Sequence, residues 1–272
     1  MDRSKSLGKS SSKLLVALAE NDRNVFTFQD AAEIVKSSDT ATRKLLSDLI
    51  KRNWIIQLSR GRYLVVPLSA GEKAEVSENW HVIAKYLVQP HPYYLSHYSA
   101  MEIHRMTTQP ISKVFISTPQ RKKDASALGA VFHFVCITPS RIWGTTDEWA
   151  TATERVEVSD LERTMIDCLN NPRLCGGVSE VAKGIYARRA DIDHVKLLQY
   201  VERFGSSAVA KRLGFLVELY DLSGETADRL RRMANPSYVL LDPSLPPAGR
   251  HWHRWRLRIN VDPEQLKEIV RM

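Results

Sequence analysis

The sequence predicts an α+β protein of two domains, an N-terminal winged helix-turn-helix followed by a larger mixed α/β C-terminal domain. Three observations carry this. Residues 13–68 hold three helix-spaced apolar patterns and then two β-rich runs around a glycine. Residues 69–78 turn polar and read as a linker, with Pro67 and Gly71 marking the joint. Residues 79–272 mix helical and strand patterns with no repeat and no low-complexity tract.

Along the chain, residues 1–12 read as a basic, flexible tail. Helical spacing begins at about Ser11, with Leu14, Leu15, Leu18 and Ala19 on one stripe. VFTFQDAAEIVKS starts a second helix. Thr27 followed three residues later by Asp30 has capping-box spacing, because hydroxyl and carboxylate can each satisfy a free N–H of the first turn. Ser37 or Ser38 caps a third helix that runs to about Arg52. WIIQLS and RYLVVP follow as a hairpin. In the second domain a helix is expected at 78–88 and another through YLSHYSAMEIHRM. Strands are expected at KVFIST, VFHFVCIT and RVEV, four or five helices across 160–233, and late strands at YVLLD and RWRLRIN.

Composition excludes several classes. A content of 43% hydrophobic and 26% charged residues in 272 is that of a folded chain. KLLVALA and VFHFVCI are too short to span a membrane, and MDRSKSLGKSSSK lacks the apolar core of a secretion signal. The three cysteines, Cys136, Cys168 and Cys175, are odd in number and widely spaced, so neither a disulfide framework nor a zinc ribbon is expected and a cytoplasmic location fits. The net charge of +8 is uneven. Residues 1–70 hold 12 Lys and Arg against 7 Asp and Glu, and the remaining 202 hold 27 against 24. The basic end calls for a polyanionic partner.

The third helix sharpens that. At 100° per residue Thr40, Arg43, Lys44, Ser47 and Lys51 share one side, and Ala41, Leu45, Leu46 and Leu49 the other; Thr42 falls nearer the apolar side. A helix with an apolar back and a front of donors fits the major groove, where Thr and Ser meet base edges and Arg grips guanine bidentately. Lys44 and Lys51 suit phosphates. In the hairpin Gly61 permits a tight turn, and Arg60 and Arg62 flank it, so two guanidiniums are expected at the tip. Trp54 and Tyr63 are expected to pack the strands on the helices. Five cations each displacing one counterion would give a salt slope of roughly −4 to −5.

No catalytic constellation emerges. Asp160, Glu162 and Asp167 could form a metal-binding carboxylate cluster, yet Ser159 and Glu162 have capping-box spacing, which accounts for them without chemistry. His251 and His253 lack a third ligand and read as surface residues of a loop, and His97 and His104 lack a partner. The Gly176–Gly177 pair reads as a loop needing positive φ rather than a phosphate cradle. No Walker motif and no Gly-x-Ser-x-Gly appears. No enzyme, no metal and no cofactor is expected.

Taken in order, the N-terminal helices and hairpin, YYLSHYSAMEIHRMTTQP with VFIST, VSDLERTMIDCL, VAKRLGFLVELYDL and YVLLDPSLPPAG with RWRLRIN resemble the AbiEi-type antitoxin family, over nearly all of residues 10–262. The resemblance implies a repressor that binds inverted repeats of double-stranded DNA in its own promoter. It also implies a neighbouring nucleotidyltransferase-like toxin, antagonised by the second domain without a stable complex. The DNA-contacting role would fall on Thr40, Arg43, Lys44, Ser47, Lys51, Arg60 and Arg62. The alternatives are a winged-helix regulator whose second domain senses a small ligand with no toxin, and a DNA-processing enzyme using the winged helix for targeting.

Overall fold

The computed structural model describes residues 7–21, 23–66, 79–109, 112–127, 129–151 and 154–269. The chain divides into two compact units. One is Met1–Leu87 with Ala127–Gly129, the other Val88–Ser126 with Ala130–Met272. The expected linker, 69–78, and the first half of the expected tail lie outside the described residues.

The first unit runs α1 (Lys9–Glu20), β1 (Val25–Thr27), α2 (Phe28–Val35), α3 (Asp39–Lys51), β2 (Ile55–Ser59), β3 (Arg62–Val65) and α4 (Trp80–Val88), the last residue of α4 belonging to the second unit. The start of α1 at Lys9 is earlier than expected, with the amide of Ser12 on the carbonyl of Gly8 at 2.9 Å closing its first turn. Strand β1 was not expected, because VFT was read as the entry to a helix. It is a strand because Phe26 pairs with Tyr63 across an antiparallel ladder and stacks on it at 5.5 Å. The three strands form one sheet in the order β1-β3-β2.

The capping box holds as read. The Asp30 amide donates to Thr27 Oγ1 at 3.1 Å, and Asp30 Oδ2 accepts from the Thr27 amide at 2.7 Å. Lys36 in the left-handed region ends α2, and Ser38 caps α3. Leu14, Leu18, Phe26, Ala31, Leu46, Leu49, Ile55, Trp54 and Tyr63 form the core. Trp54 and Tyr63 thus pack as the pattern required.

The second unit contains β4 (Tyr94–Leu95), α5 (His97–Ile103), β5 (Lys113–Thr118), β6 (Ala125–Ala127, its last residue assigned to the first unit), β7 (Ala130–Cys136), β8 (Thr145–Trp149), β9 (Arg155–Ser159), α6 (Leu161–Asn170), α7 (Val178–Ala187), α8 (His194–Phe204), α9 (Ser207–Leu219), α10 (Gly224–Arg232), β10 (Val239–Leu240), β11 (Arg250–Trp252), β12 (Leu257–Ile259) and α11 (Pro263–Ile269). A mixed six-stranded sheet runs β6-β7-β5-β4-β9-β8, and a small one β10-β12-β11. The expected helix through YLSHYSAMEIHRM is split, since Tyr94 and Leu95 pair with β5 and β9 before α5 begins. Helices α6, α7, α8 and α9 supply most of the apolar core, closed by Trp255 and Leu257.

One buried ionic knot ties sheet to helices. Arg163, 1% exposed, donates from Nε to Asp167 Oδ1 at 3.0 Å, from Nη1 to the Trp143 carbonyl at 2.8 Å and from Nη2 to the Tyr94 hydroxyl at 2.7 Å. The Tyr94 hydroxyl donates to Asp167 Oδ2 at 3.0 Å, and the Trp143 ring lies 4.2 Å from the guanidinium. Substituting Arg163→Met leaves the Asp167 carboxylate buried without its cation. It is expected to cost about 3–5 kcal/mol in denaturant unfolding. The double substitution Arg163→Met with Asp167→Leu should cost less than the single one.

His97 adds a pH dependence. It is buried with φ +52, its Nδ1 2.8 Å from Ser96 Oγ, and burial pushes its pKa down to about 4. The unfolded chain takes up this proton below about pH 6.5 while the folded one resists. Stability present above that pH is therefore lost as it falls towards 4, by about 3 kcal/mol in all. His97→Asn, which tolerates the left-handed backbone, should flatten that part of a stability profile between pH 7 and 4.5.

Candidate nucleic-acid interface

The front of α3 is built by its back. Leu46 and Leu49 are buried in the core, and Thr42 joins them fully buried, its hydroxyl 2.9 Å from Ser37 Oγ. That internal hydrogen bond is why a polar residue sits on the apolar side. Ala41 departs from the expectation. It is exposed and Leu45 only half-buried, because Thr42 rather than Ala41 occupies the first inward turn. With the back fixed, Thr40, Arg43, Lys44, Ser47 and Lys51 all face solvent. Lys44 and Lys51 form no ion pair among the described residues.

Arg43 is positioned. Its guanidinium lies 5.5 Å from the Phe28 ring of α2 and 3.6 Å from the Asp39 carboxylate, both ionic side chains being 70% exposed. Pairs this exposed contribute little stability, so the contact orients the arginine and leaves it available. Asp39 is a residue that reasoning from the face alone missed; its i,i+4 spacing from Arg43 was the available signal.

The hairpin differs from expectation at one arginine. Gly61 makes the turn with φ +75, and its carbonyl accepts from the Phe28 amide at 2.9 Å, which fastens the turn to the start of α2. Arg60 is exposed at the tip. Arg62 does not project beside it: half-buried, it pairs with Thr27 in the sheet and its Nη1 donates to the Tyr86 carbonyl in the last turn of α4. A cation satisfying a C-terminal carbonyl of a helix is a favourable cap. The sequence could not show this, because the partner lies 24 positions away.

Other tempting residues are accounted for structurally. The Ser159–Glu162 capping box is not formed. Asp160 is the cap, accepting from the Arg163 amide at 2.9 Å, while Ser159 Oγ is engaged with Thr164 Oγ1 at 2.7 Å. Asp160 and Glu162 both grip Lys196 of α8, at 3.1 and 2.9 Å. Burial alone would lower the Lys196 pKa, and the two carboxylates outweigh it and raise it. Asp167 is committed to Arg163, so the carboxylates do not converge. His251 and His253 flank Tyr238, the latter with Nδ1 2.6 Å from its hydroxyl, and His251 lies on β11 rather than in a loop. His97 and His104 hydrogen-bond separately to Ser96 and the Ser159 carbonyl. No group of three metal-ligating side chains occurs among the described residues. Gly176 and Gly177 have φ +76 and +91, and the helix start they precede is filled by Asp242, whose Oδ2 accepts from the Val178 amide at 2.8 Å.

The N-terminal unit thus runs α1-β1-α2-α3-β2-β3, with an exposed face of donors on the third helix. Residues 13–66 match the family model described as transcriptional regulator, AbiEi antitoxin. A crystal structure of the RV2827C protein from Mycobacterium tuberculosis is similar in fold, with a TM-score of 0.71 at 14% identity, over 98% of this chain and 96% of that one. No curated protein matches the chain. No helix among the described residues is long and apolar enough to cross a membrane.

The two hairpin arginines should separate in stability. Arg62→Ala removes a charged donor from a helix carbonyl and is expected to cost about 1 kcal/mol. Arg60→Ala, fully at the surface, should stay within about 0.5 kcal/mol of the parent. Denaturant unfolding of both variants checks this.

Proposed function

We propose that this chain is a sequence-specific DNA-binding repressor of its own promoter and the antitoxin of a toxin–antitoxin pair. The N-terminal unit acts as a winged helix-turn-helix, laying α3 in the major groove so that Thr40, Arg43 and Ser47 reach base edges while Lys44 and Lys51 take phosphates. Arg60 reaches the backbone beside it. The observation that carries the reading is the donor-rich front of α3 on a buried back, within residues matching a transcriptional-regulator family. Inverted repeats would be met by two copies. The C-terminal unit would counter a nucleotidyltransferase-like toxin encoded nearby, in the cytoplasm and without catalysis. A regulator that senses a small ligand, with no toxin, is the second reading, and the cleft described below favours it.

Arg62, tied to α4, is withdrawn from the count of phosphate contacts. Four cations, Arg43, Lys44, Lys51 and Arg60, then give a salt slope of roughly −3 to −4 per bound copy. Titrating the full chain onto the DNA upstream of its gene, against scrambled DNA and across salt, tests this. Arg43→Ala is expected to cost about 1–3 kcal/mol and relax sequence preference, Lys44→Ala to shallow the slope by about one, and Asp39→Asn to strengthen binding to both DNAs by removing a negative charge from the face. Equal, weak binding of both DNAs, untouched by Arg43→Ala and Arg60→Ala, would refute the repressor reading. The antitoxin half requires that expressing the full chain rescues cells from the product of the neighbouring gene; failure of a soluble, folded chain to do so would remove that half alone.

A further inference from the structure

The second unit holds a cleft of about 650 Å3 that the DNA-reading face does not involve. It is lined by Tyr94 and Arg163 of the buried ionic knot, by Arg141 and by the first turn of α9. Sites for small molecules commonly enclose some 300–1,000 Å3, so the space exceeds what a single inorganic ion would fill.

Its charge is unbalanced. The Arg163 guanidinium is matched by Asp167. Lys211 is not matched: fully buried on α9, it faces the cleft, and its Nζ donates to Asn235 Oδ1 at 2.6 Å and to the Ser237 carbonyl, both neutral. No carboxylate pairs with it among the described residues. Burial, and after it repulsion from Arg256, lowers its pKa. Arg141 is the second uncompensated cation, half-buried, with one N–H on the Phe204 carbonyl at 2.8 Å and its guanidinium 4.1 Å from the Phe204 ring.

A buried cation without a counter-ion is costly unless something neutralises it. Arg163 and Glu162, also buried, each have an opposite partner within 3.0 Å, and buried Arg212, held by carbonyls, feels the favourable charge of Asp242. At Lys211 the missing partner would have to come from solution. Helix α9, 13 residues long, also starts in the cleft wall at Ser207 and Ala208, where the amides of a first turn favour negative charge. Val135, Ile137 and Phe204 supply apolar lining for the uncharged remainder of a ligand.

We propose that this cleft binds a phosphorylated small molecule of about mononucleotide size, its phosphate held between Lys211, Arg141 and the first turn of α9. Lys211 and Arg141 supply the charge that Arg163, already neutralised, does not. The site is independent of operator binding, so either can fail without the other.

Calorimetric titration of the full chain with ADP, ribose 5-phosphate, inorganic phosphate and adenosine tests it, on the parent and on Lys211→Met, Arg141→Ala and Arg60→Ala. Saturable binding of ADP or ribose 5-phosphate is expected, tighter than that of phosphate, with none for adenosine. Lys211→Met and Arg141→Ala should each weaken it at least about tenfold, equivalent to about 1.4 kcal/mol, while Arg60→Ala, on the DNA-reading unit, leaves it unchanged. Arg141 lies at the cleft wall, so its variant keeps the test decisive if Lys211→Met fails to fold. No binding of any phosphorylated probe, loss in Arg60→Ala, or undiminished binding in Arg141→Ala would overturn the proposal. Phosphate binding as tightly as ADP would overturn the assignment of a larger ligand.

Discussion

A guanidinium removed from water must find its hydrogen bonds inside the protein, and Arg163 is where the second unit meets that demand. Three donors on one rigid fork reach a helix carboxylate, a loop carbonyl and a strand hydroxyl. Their fixed geometry sets α6, β4 and the segment before β8 relative to one another. Burial, with Asp167 beside it, also raises the Tyr94 pKa, so the hydroxyl keeps its proton and can donate and accept at once. Apolar packing would bring these elements together, but the fork selects one arrangement of them.

The same accounting for charge runs through the chain. Lys196 answers Asp160 and Glu162, and Arg212, buried on α9, is spread over the carbonyls of Leu169, Leu240 and Leu241. In the first unit Arg43, Lys44 and Lys51 are instead exposed along one face of α3. Interior charges are held by opposite charges or by carbonyls, whereas the cations on the front of α3 are exposed. Lys211 is inside and without an opposite charge among the described residues.

The local devices were legible in the sequence because their partners lie within one helical turn. Thr27 with Asp30, a serine cap at 37 or 38 before α3, and the donor face of α3 follow from spacing, whereas Ala41, expected on the apolar side, is exposed. The failures have a common cause. Strand β1 exists because Tyr63 stacks on Phe26, and β4 because β5 and β9 flank it. Arg62 is withdrawn from the hairpin tip by a carbonyl on α4. Ser159 lost its expected cap to Asp160 because Thr164 and the strand beside it engaged its hydroxyl. In each case a contact distant in sequence overrode a local preference.

The sequence by itself determined the basic N-terminal end, the helix–helix–helix–hairpin order, the donor face of Thr40, Arg43, Lys44, Ser47 and Lys51, and an α+β remainder. These depend on periodicity and on residue chemistry, which a chain carries wherever it folds. Only the tertiary structure decided which cations stay free. Arg60 and Arg62 are near-identical neighbours in sequence, yet one is in solvent and the other caps a helix. Arg163 and Lys211 are both cations on helices, yet one is neutralised in the core and the other lines a cleft. Charge is a property of the residue, whereas its compensation is a property of the neighbours that folding supplies.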